Sequence, residues 1–336
     1  MKNFKISDYT FISSDQGGQT EIIDYGVKMV GAPLEWKETM GEGIRVGIID
    51  TGISTSHPDL KWRIADGISF LEGSREDIED TNGHGTHVAG IVAAEKNGIG
   101  VVGVAPKVKL YICKAFDTNG KTDYYAIEKS ILWLIKCGVS VINMSFSSGF
   151  SSKRYSTLVH LAHKNGITMI CAAGNEGEKG EASMGYPASF NETIAVSAVD
   201  CKKNIASFSS RGPSAEISAA GIDIYSTFIG NSYATLSGTS MATPIITGAV
   251  AILQAKGRLR YGRNLTPDEI RLLLNIYTED LSGFGKDDRY GYGLFSFGRI
   301  SGSDYIDSEK AKRNIKAKTN LSQKMSELIV AMLLDS

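Results

Sequence analysis

Ile44-Arg45-Val46-Gly47-Ile48-Ile49, closed by Asp50-Thr51-Gly52, is a short and mostly β-branched run that ends on a carboxylate and a glycine turn. A run of this kind, apolar without alternation, is expected of a strand buried on both faces in a parallel sheet. Similar runs lie further along the chain, at Val108-Lys109-Leu110-Tyr111-Ile112, Val139-Ser140-Val141-Ile142-Asn143, Ile167-Thr168-Met169-Ile170-Cys171 and Thr193-Ile194-Ala195-Val196-Ser197. Helical spacing separates them. Between Thr122 and Lys136 the apolar positions are Tyr124, Ile127, Ile131, Leu134 and Ile135, and a second helix is expected from Ser156 to Asn165, stopped by Gly166. Strands alternating with helices predict an α/β fold: a mostly parallel central sheet with helices on both faces. In such sheets functional groups gather at the carboxyl ends of the strands.

Composition sets the outer limits. Of 336 residues, 42% are hydrophobic and 22% charged, enough apolar material for a large core. A net charge of −1 gives no general attraction to nucleic acid or an anionic membrane, so neither is expected as a partner. No apolar run is long enough to span a bilayer, and the amino terminus lacks the apolar stretch of a secretion signal. The four cysteines, Cys113, Cys137, Cys171 and Cys201, form no Cys-x-x-Cys pair and are expected as reduced, structural thiols, as in a cytoplasmic protein. Residues 1–20 are polar and carry Gly17-Gly18, which suggests a mobile arm.

Four polar residues fall where the strand-end rule says to look. Asp50 ends the first strand; alone it reads as a turn aspartate. His84 lies in Gly83-His84-Gly85-Thr86-His87 at the start of a helix, where His87 reads as the structural one of the pair. Ser240 follows Gly238-Thr239 and opens the long apolar helix pattern Met241 to Ala255. A serine there is an ordinary N-cap, but its hydroxyl also sits beside unpaired backbone N–H groups that can bind an oxyanion. Pro244 is expected in the first turn of that helix, where proline is tolerated. Asn175 ends another strand run in Ala173-Gly174-Asn175; it is either a turn residue or an amide donor.

Their order is Asp, His, Ser. With His57-Pro58-Asp59-Leu60, His84-Gly85-Thr86-His87-Val88-Ala89-Gly90, Gly103-Val104-Ala105-Pro106, Ala173-Gly174-Asn175 and Gly238-Thr239-Ser240-Met241-Ala242-Thr243-Pro244, the chain resembles the subtilisin-like serine proteases from about residue 22 to about 297. The resemblance implies a three-layer αβα fold over residues 21–300 and a serine endopeptidase working through an acyl-enzyme. It implies Ser240 as nucleophile, His84 as general base, Asp50 as its orienting partner and Asn175 in the oxyanion hole. Substrate would add as a strand to Lys114–Tyr124, including Gly120 and Tyr124, and to Ser145-Phe146-Ser147-Ser148-Gly149. The family usually has Gly-Gly at Ser147-Ser148, so a narrowed or altered P1 pocket is expected. Calcium is implied at a site formed by Asp59, Glu95, Asn97, Ile99 and Val101, with Glu21 where the family often has Gln. In the same loop, Gly98-Ile99-Gly100-Val101-Val102-Gly103 satisfies G-x-G-x-x-G but leads out of a helix towards a strand, the reverse of a dinucleotide site.

Lacking a secretion signal and a disulfide framework, the chain most resembles the intracellular subtilisins. Their amino-terminal arm carries a proline-containing motif that blocks the active site. The comparable stretch here is Phe4-Lys5-Ile6-Ser7-Asp8-Tyr9, with Asp8 at the proline position. Two other departures, Ile245 after Pro244 and Ala219-Ala220-Gly221 for Ala-Pro-Gly, are expected to alter packing only. The tail 301–336 reads as a helix, docked on the domain or frayed, or alternatively as an oligomer contact, such as a homodimer's, or a second regulatory segment. A leader-peptide maturation protease and a non-catalytic binding protein on the same fold are the rival functions; the intact Asp50, His84, Ser240 and Asn175 argue against the second.

Overall fold

The computed structural model describes residues 3–6, 9–18, 20–180, 182–283 and 285–299; the expectations for Ser7, Asp8 and the tail 301–336 lie outside the described residues. Two strands lie in the arm, β1 Asn3–Lys5 and β2 Thr10–Asp15, followed by the short helices α1 Tyr25–Met29 and α2 Ala32–Glu35. The sheet opens with β3 Arg45–Asp50 and β4 Ile64–Ser69. Then come α3 His84–Ala93, β5 Lys109–Lys114, the short β6 Lys121–Asp123 and α4 Tyr124–Cys137. Next are β7 Val141–Met144, α5 Lys153–Lys164, β8 Thr168–Ala172, β9 Thr193–Val199 and β10 Ala215–Ala220. The hairpin β11 Ile224–Phe228 and β12 Ser232–Ser237 leads into α6 Thr239–Tyr261. After it lie α7 Pro267–Ile276, β13 Thr278–Glu279 and β14 Leu294–Phe295.

Nine strands form one sheet in the order β13-β14-β10-β9-β8-β7-β3-β5-β4, parallel throughout except for the β13–β14 pair. β3 shows why an unbroken apolar run suits the centre of such a sheet. Val46 and Ile48 point into the core beneath α3 and α6, while Ile49 points into the second core beneath α4 and α5. Gly47 faces that second layer too, and a Cβ there would stand 2.7 Å from Leu134 of α4. The predicted α/β class and αβα layering therefore hold. Element bounds shift modestly: α5 begins at Lys153, because the Ser152 hydroxyl caps the Tyr155 N–H, three residues before the apolar spacing becomes visible.

Helix α6 is buried from Thr239 to Gly257, as expected of a helix apolar all round. Its buried polar groups are matched. Gln254 exchanges two hydrogen bonds with the Leu265 backbone, at 2.9 Å each. The Lys256 ammonium lies 2.5 Å from Glu35 and 3.1 Å from Glu38. Among the described residues no helix is long and apolar enough to cross a membrane.

The expectation of a mobile arm over residues 1–20 is corrected for its described residues, 3–6 and 9–18. β1 pairs antiparallel with β6 and β2 with β12, making β2 the third strand of a small sheet with the β11–β12 hairpin. Polar composition concealed two apolar anchors: Phe4 is wholly buried and Ile6 nearly so. Burying two such side chains contributes several kcal/mol, about 1.5–3 kcal/mol each, enough to hold a short segment.

Leu134→Ala, made in a Ser240→Ala background to prevent self-digestion, is expected to lower the stability measured by urea denaturation by about 2–5 kcal/mol, because it empties the space between α4 and β3.

Candidate active site

β8, β7 and β3 are neighbours in the sheet, and their carboxyl ends deliver Asn175, Ser145–Ser148 and Asp50 to one region. Asp50 is the last residue of β3. Its Oδ1 accepts the Thr51 N–H at 2.8 Å and lies 2.8 Å from Nδ1 of His84. His84 opens α3. The turn before it is organised by the buried Asp80 carboxylate, which accepts the N–H groups of Asn82, Gly83 and Thr86, each at 2.9 Å, and the Thr86 hydroxyl at 2.7 Å. Gly85 lets α3 approach the strand end: a Cβ there would stand 2.3 Å from the Gly52 carbonyl oxygen, and the Gly85 N–H instead donates to the Thr51 hydroxyl at 2.9 Å.

Ser240 is the second residue of α6 and its hydroxyl donates to the Ser145 carbonyl at 3.0 Å. His84 Nε2 is buried and has no partner among the described residues. Pro244 lies in the second turn of α6, not the first as expected. A proline at that position cannot donate to the Ser240 carbonyl, the acceptor four residues back. The Ser145 hydroxyl supplies the missing donor, at 3.0 Å from the Ser240 oxygen. Ser145 is itself held by Asn143 Nδ2 at 2.9 Å, and Asn143 Oδ1 accepts the Thr247 hydroxyl at 2.8 Å. Ser145, expected as a substrate contact, is thus fully buried behind the nucleophile candidate and positions its backbone.

Asn175 Oδ1 accepts the Thr239 N–H at 3.0 Å and the Thr239 hydroxyl at 2.7 Å. A backbone N–H can only donate, so the atom facing it must be the amide oxygen; Nδ2 is then turned towards Gly238, two residues before Ser240. Thr239 was not singled out from sequence, although it sits inside the same motif.

The arm runs through this region. Phe4 lies in an aromatic box, its ring centroid 4.7 Å from Tyr124, 5.6 Å from Tyr155 and 5.9 Å from Phe146. Lys5 pairs with Ser147 on one side, and the Ile6 N–H donates to Gly120 at 2.9 Å on the other. Four residues expected to contact substrate, Gly120, Tyr124, Phe146 and Ser147, therefore contact the arm. Beyond Ile6, the Tyr9 ring lies 5.2 Å from that of His84. Asp50, His84 and Ser240 are all buried with the arm in place. Tyr9 closes the arm stretch singled out from sequence, whereas Tyr155 had no sequence signal, since only the fold brings it to the cleft.

The other residues singled out from sequence meet in a loop away from the cleft. Asp59 is wholly buried. Its Oδ1 accepts Asn97 Nδ2 at 3.0 Å; its Oδ2 accepts the Val101 N–H and the Tyr233 hydroxyl, both at 3.0 Å. Glu21 accepts the Gly98 N–H at 2.8 Å. The carbonyl oxygens of Glu95, Ile99 and Val101 accept no hydrogen bond among the described residues. Asn97 Oδ1 accepts the Ile99 N–H at 3.0 Å, so the oxygens here that accept no hydrogen bond are the three carbonyls; a donor set made of oxygen alone suits calcium better than a transition metal. The Glu95 carboxylate is used elsewhere, in an ion pair with Arg63 at 3.2 Å. The glycine-rich 98–103 stretch opens no helix, in line with the rejected nucleotide reading. All four cysteines are free thiols.

A parallel αβα sheet with a histidine–carboxylate pair and a serine at its carboxyl edge defines a class, the α/β serine hydrolases. The comparisons narrow it. Residues 41–293 match the model of the Subtilase family. Subtilisin DY of Bacillus licheniformis is 41% identical over 82% of this chain and 97% of its own length. An intracellular serine protease of Paenibacillus polymyxa is 40% identical over 79% and 82%. A thermostable alkaline protease of Halalkalibacterium halodurans is 44% identical over 78% and 68%. This chain belongs to the subtilase family and is a serine endopeptidase.

His87 is the structural histidine it was read as. Its Nε2 faces the carbonyls of Ile224 and Ala234, 3.1 and 3.0 Å away, and burial lowers its pKa to about 3. The buried Nδ1 has no acceptor for a second proton. Between the unfolded value near 6.5 and the folded value the unfolded chain binds the extra proton, so stability falls as pH drops through that window. Between pH 6.5 and 5 the expected loss is about 2 kcal/mol. Urea denaturation across that range checks it; replacing His87 with Gln should flatten this part of the profile.

Proposed function

We propose that Ser240, His84 and Asp50 carry out the peptide hydrolysis of this endopeptidase inside the cell, on segments that first displace its own amino-terminal arm. The observation that carries the reading is the 2.8 Å His84–Asp50 bond, which occupies Nδ1 and leaves the buried Nε2 without a partner among the described residues, the state required of a base. The Ser240 hydroxyl swings from the Ser145 carbonyl to Nε2, gives up its proton there and attacks the scissile carbonyl. Asp50 holds the ring in the tautomer with hydrogen on Nδ1 and stabilises the imidazolium. The oxyanion is met by Asn175 Nδ2 and the Ser240 N–H at the positive end of α6. His84 then protonates the leaving amine, and water resolves the acyl-enzyme by the same route in reverse. Ser240→Ala is expected to reduce kcat by about 10⁶ while leaving the fold intact. Turnover retained in that variant, purified free of other proteases, would refute the assignment.

Self-inhibition is supported by the way Phe4-Lys5-Ile6 adds as a strand between β6 and Ser147, the mode expected of substrate. Tyr9 against His84 extends the cover past the reacting groups. Removal of residues 1–20 is expected to raise kcat/KM on a peptide substrate; an unchanged value would count against the arm as an inhibitor. The intracellular assignment is supported by the likeness to the P. polymyxa protease and by four free thiols.

Calcium is the ion that Asp59, the Asn97 side chain and the carbonyls of Glu95, Ile99 and Val101 would hold, with Glu21 beside them. Bound there, it would supply positive charge that braces the loop, and no step of the hydrolysis passes through it. In a Ser240→Ala background, calcium at about 100 times its Kd should stabilise the fold by about 3 kcal/mol, and Asp59→Asn should abolish that increment in thermal unfolding.

A further inference from the structure

The cleft next to Ile6 contains a specificity element that the family pattern does not supply. One wall is the segment leaving β7, Ser145–Gly149; the other begins at Gly174, after β8. The two are closed below by the Ser148–Tyr186 bridge, with paired hydrogen bonds of 2.8 and 2.7 Å. They enclose a cavity of about 530 Å³ whose lining includes Ile6, Ser147, Glu176, Lys179, Met184 and Gly185. Lys5 and Ile6 themselves line this cavity; for a substrate laid in the register of Phe4-Lys5-Ile6, we take the residue after the Ile6 position as P1.

Cavity size alone would admit a large aromatic side chain. Ser147 argues otherwise. Its Oγ lies 2.5 Å from where a Cβ on Gly185 would be and 3.4 Å from where one on Gly174 would be. The hydroxyl thus reaches out from its own wall to Gly174 and Gly185, and the bare Gly185 is what gives it room. It makes no hydrogen bond among the described residues, so it remains a donor and acceptor for whatever enters. A bulky apolar side chain must push this hydroxyl aside or strip its water without replacing it. A small side chain stops short of it, and a serine can bond to it.

We propose that Ser147 makes this endopeptidase select small P1 side chains, alanine or serine, over bulky aromatic ones. The proposal rests on Ser240 being the nucleophile.

The test uses the full-length chain and two acetylated peptides, Phe-Lys-Ile-Ala and Phe-Lys-Ile-Phe, each ending in the same chromogenic amide. Because the arm lowers kcat/KM for both equally, their ratio reports the P1 site alone. The wild type is expected to favour the Ala peptide by about tenfold or more. Ser147→Gly should shift the ratio towards the Phe peptide by about 10- to 100-fold, with Ser147→Ala in between. A wild type that prefers the Phe peptide, or a ratio that moves less than about twofold in Ser147→Gly against that scale, overturns the proposal. Labelling of Ser240 by a small fluorophosphonate, run in parallel, separates the two levels. Labelled proteins with an unmoved ratio refute the role of Ser147 alone. An unlabelled wild type refutes the nucleophile assignment and the proposal with it.

Discussion

Helix α6 can lie in only one place. Every residue from Thr239 to Gly257 is buried, so this helix must be enclosed between the sheet and the neighbouring elements rather than rest on the surface. It packs along β7, β8, β9 and β10 and against α3, and in that position its amino terminus meets the carboxyl ends of the strands. The location of Ser240 follows from this burial. So does the need for Ser145. A helix buried this deeply cannot leave a carbonyl unsatisfied, and Pro244 withholds the donor that would ordinarily pair with the Ser240 oxygen. The Ser145 hydroxyl takes its place, which ties the end of β7 to the first turn of α6. The hydrogen bonds running from Thr247 through Asn143 to Ser145 make the same connection from behind.

The arm meets the cleft through the same backbone chemistry. β6 and the Ser147 segment present strand edges facing each other, and an extended chain between them satisfies both. Phe4 then adds apolar burial among Tyr124, Phe146 and Tyr155. On the proposed self-inhibition, a substrate would have to match this combination of paired backbone and one aromatic anchor against an intramolecular competitor, whose effective concentration a short tether keeps high. β2 lengthens the attachment on the far side of His84, since it pairs with β12, the strand that leads into Ser240. Tyr233 lies on that strand as well and donates to Asp59, so the small sheet that holds the arm and the strand before Ser240 also touches the oxygen-rich loop.

Much of the site was legible before any coordinates. Asp50, His84, Asn175 and Ser240 each lie beside glycines at an element boundary, and their order along the chain carries the family resemblance. The layering was legible as well, because unbroken apolar runs such as Val46 to Ile49 leave a parallel sheet as the natural reading. Two readings failed for identifiable reasons. Residues 1–20 looked mobile because the stretch read as polar overall and carries Gly17-Gly18, although Phe4 and Ile6 decide where the segment goes. Pro244 was placed a turn too early because α6 starts at Thr239, ahead of the apolar pattern, and the donor that makes the proline tolerable comes from Ser145, nearly a hundred positions away.

By itself, then, the sequence determined the alternation of strand and helix, the residue types at the strand ends and membership in a family of serine endopeptidases, since these depend on local pattern and on motifs that are contiguous in the chain. Tertiary structure decided what those residues face. It set Tyr9 over His84, turned the Asn175 amide by way of Thr239, closed Asp59 with Tyr233 and stood the Ser147 hydroxyl beside Gly174 and Gly185. Each of these contacts joins residues distant in sequence across neighbouring strand ends, and no local pattern encodes which strands become neighbours.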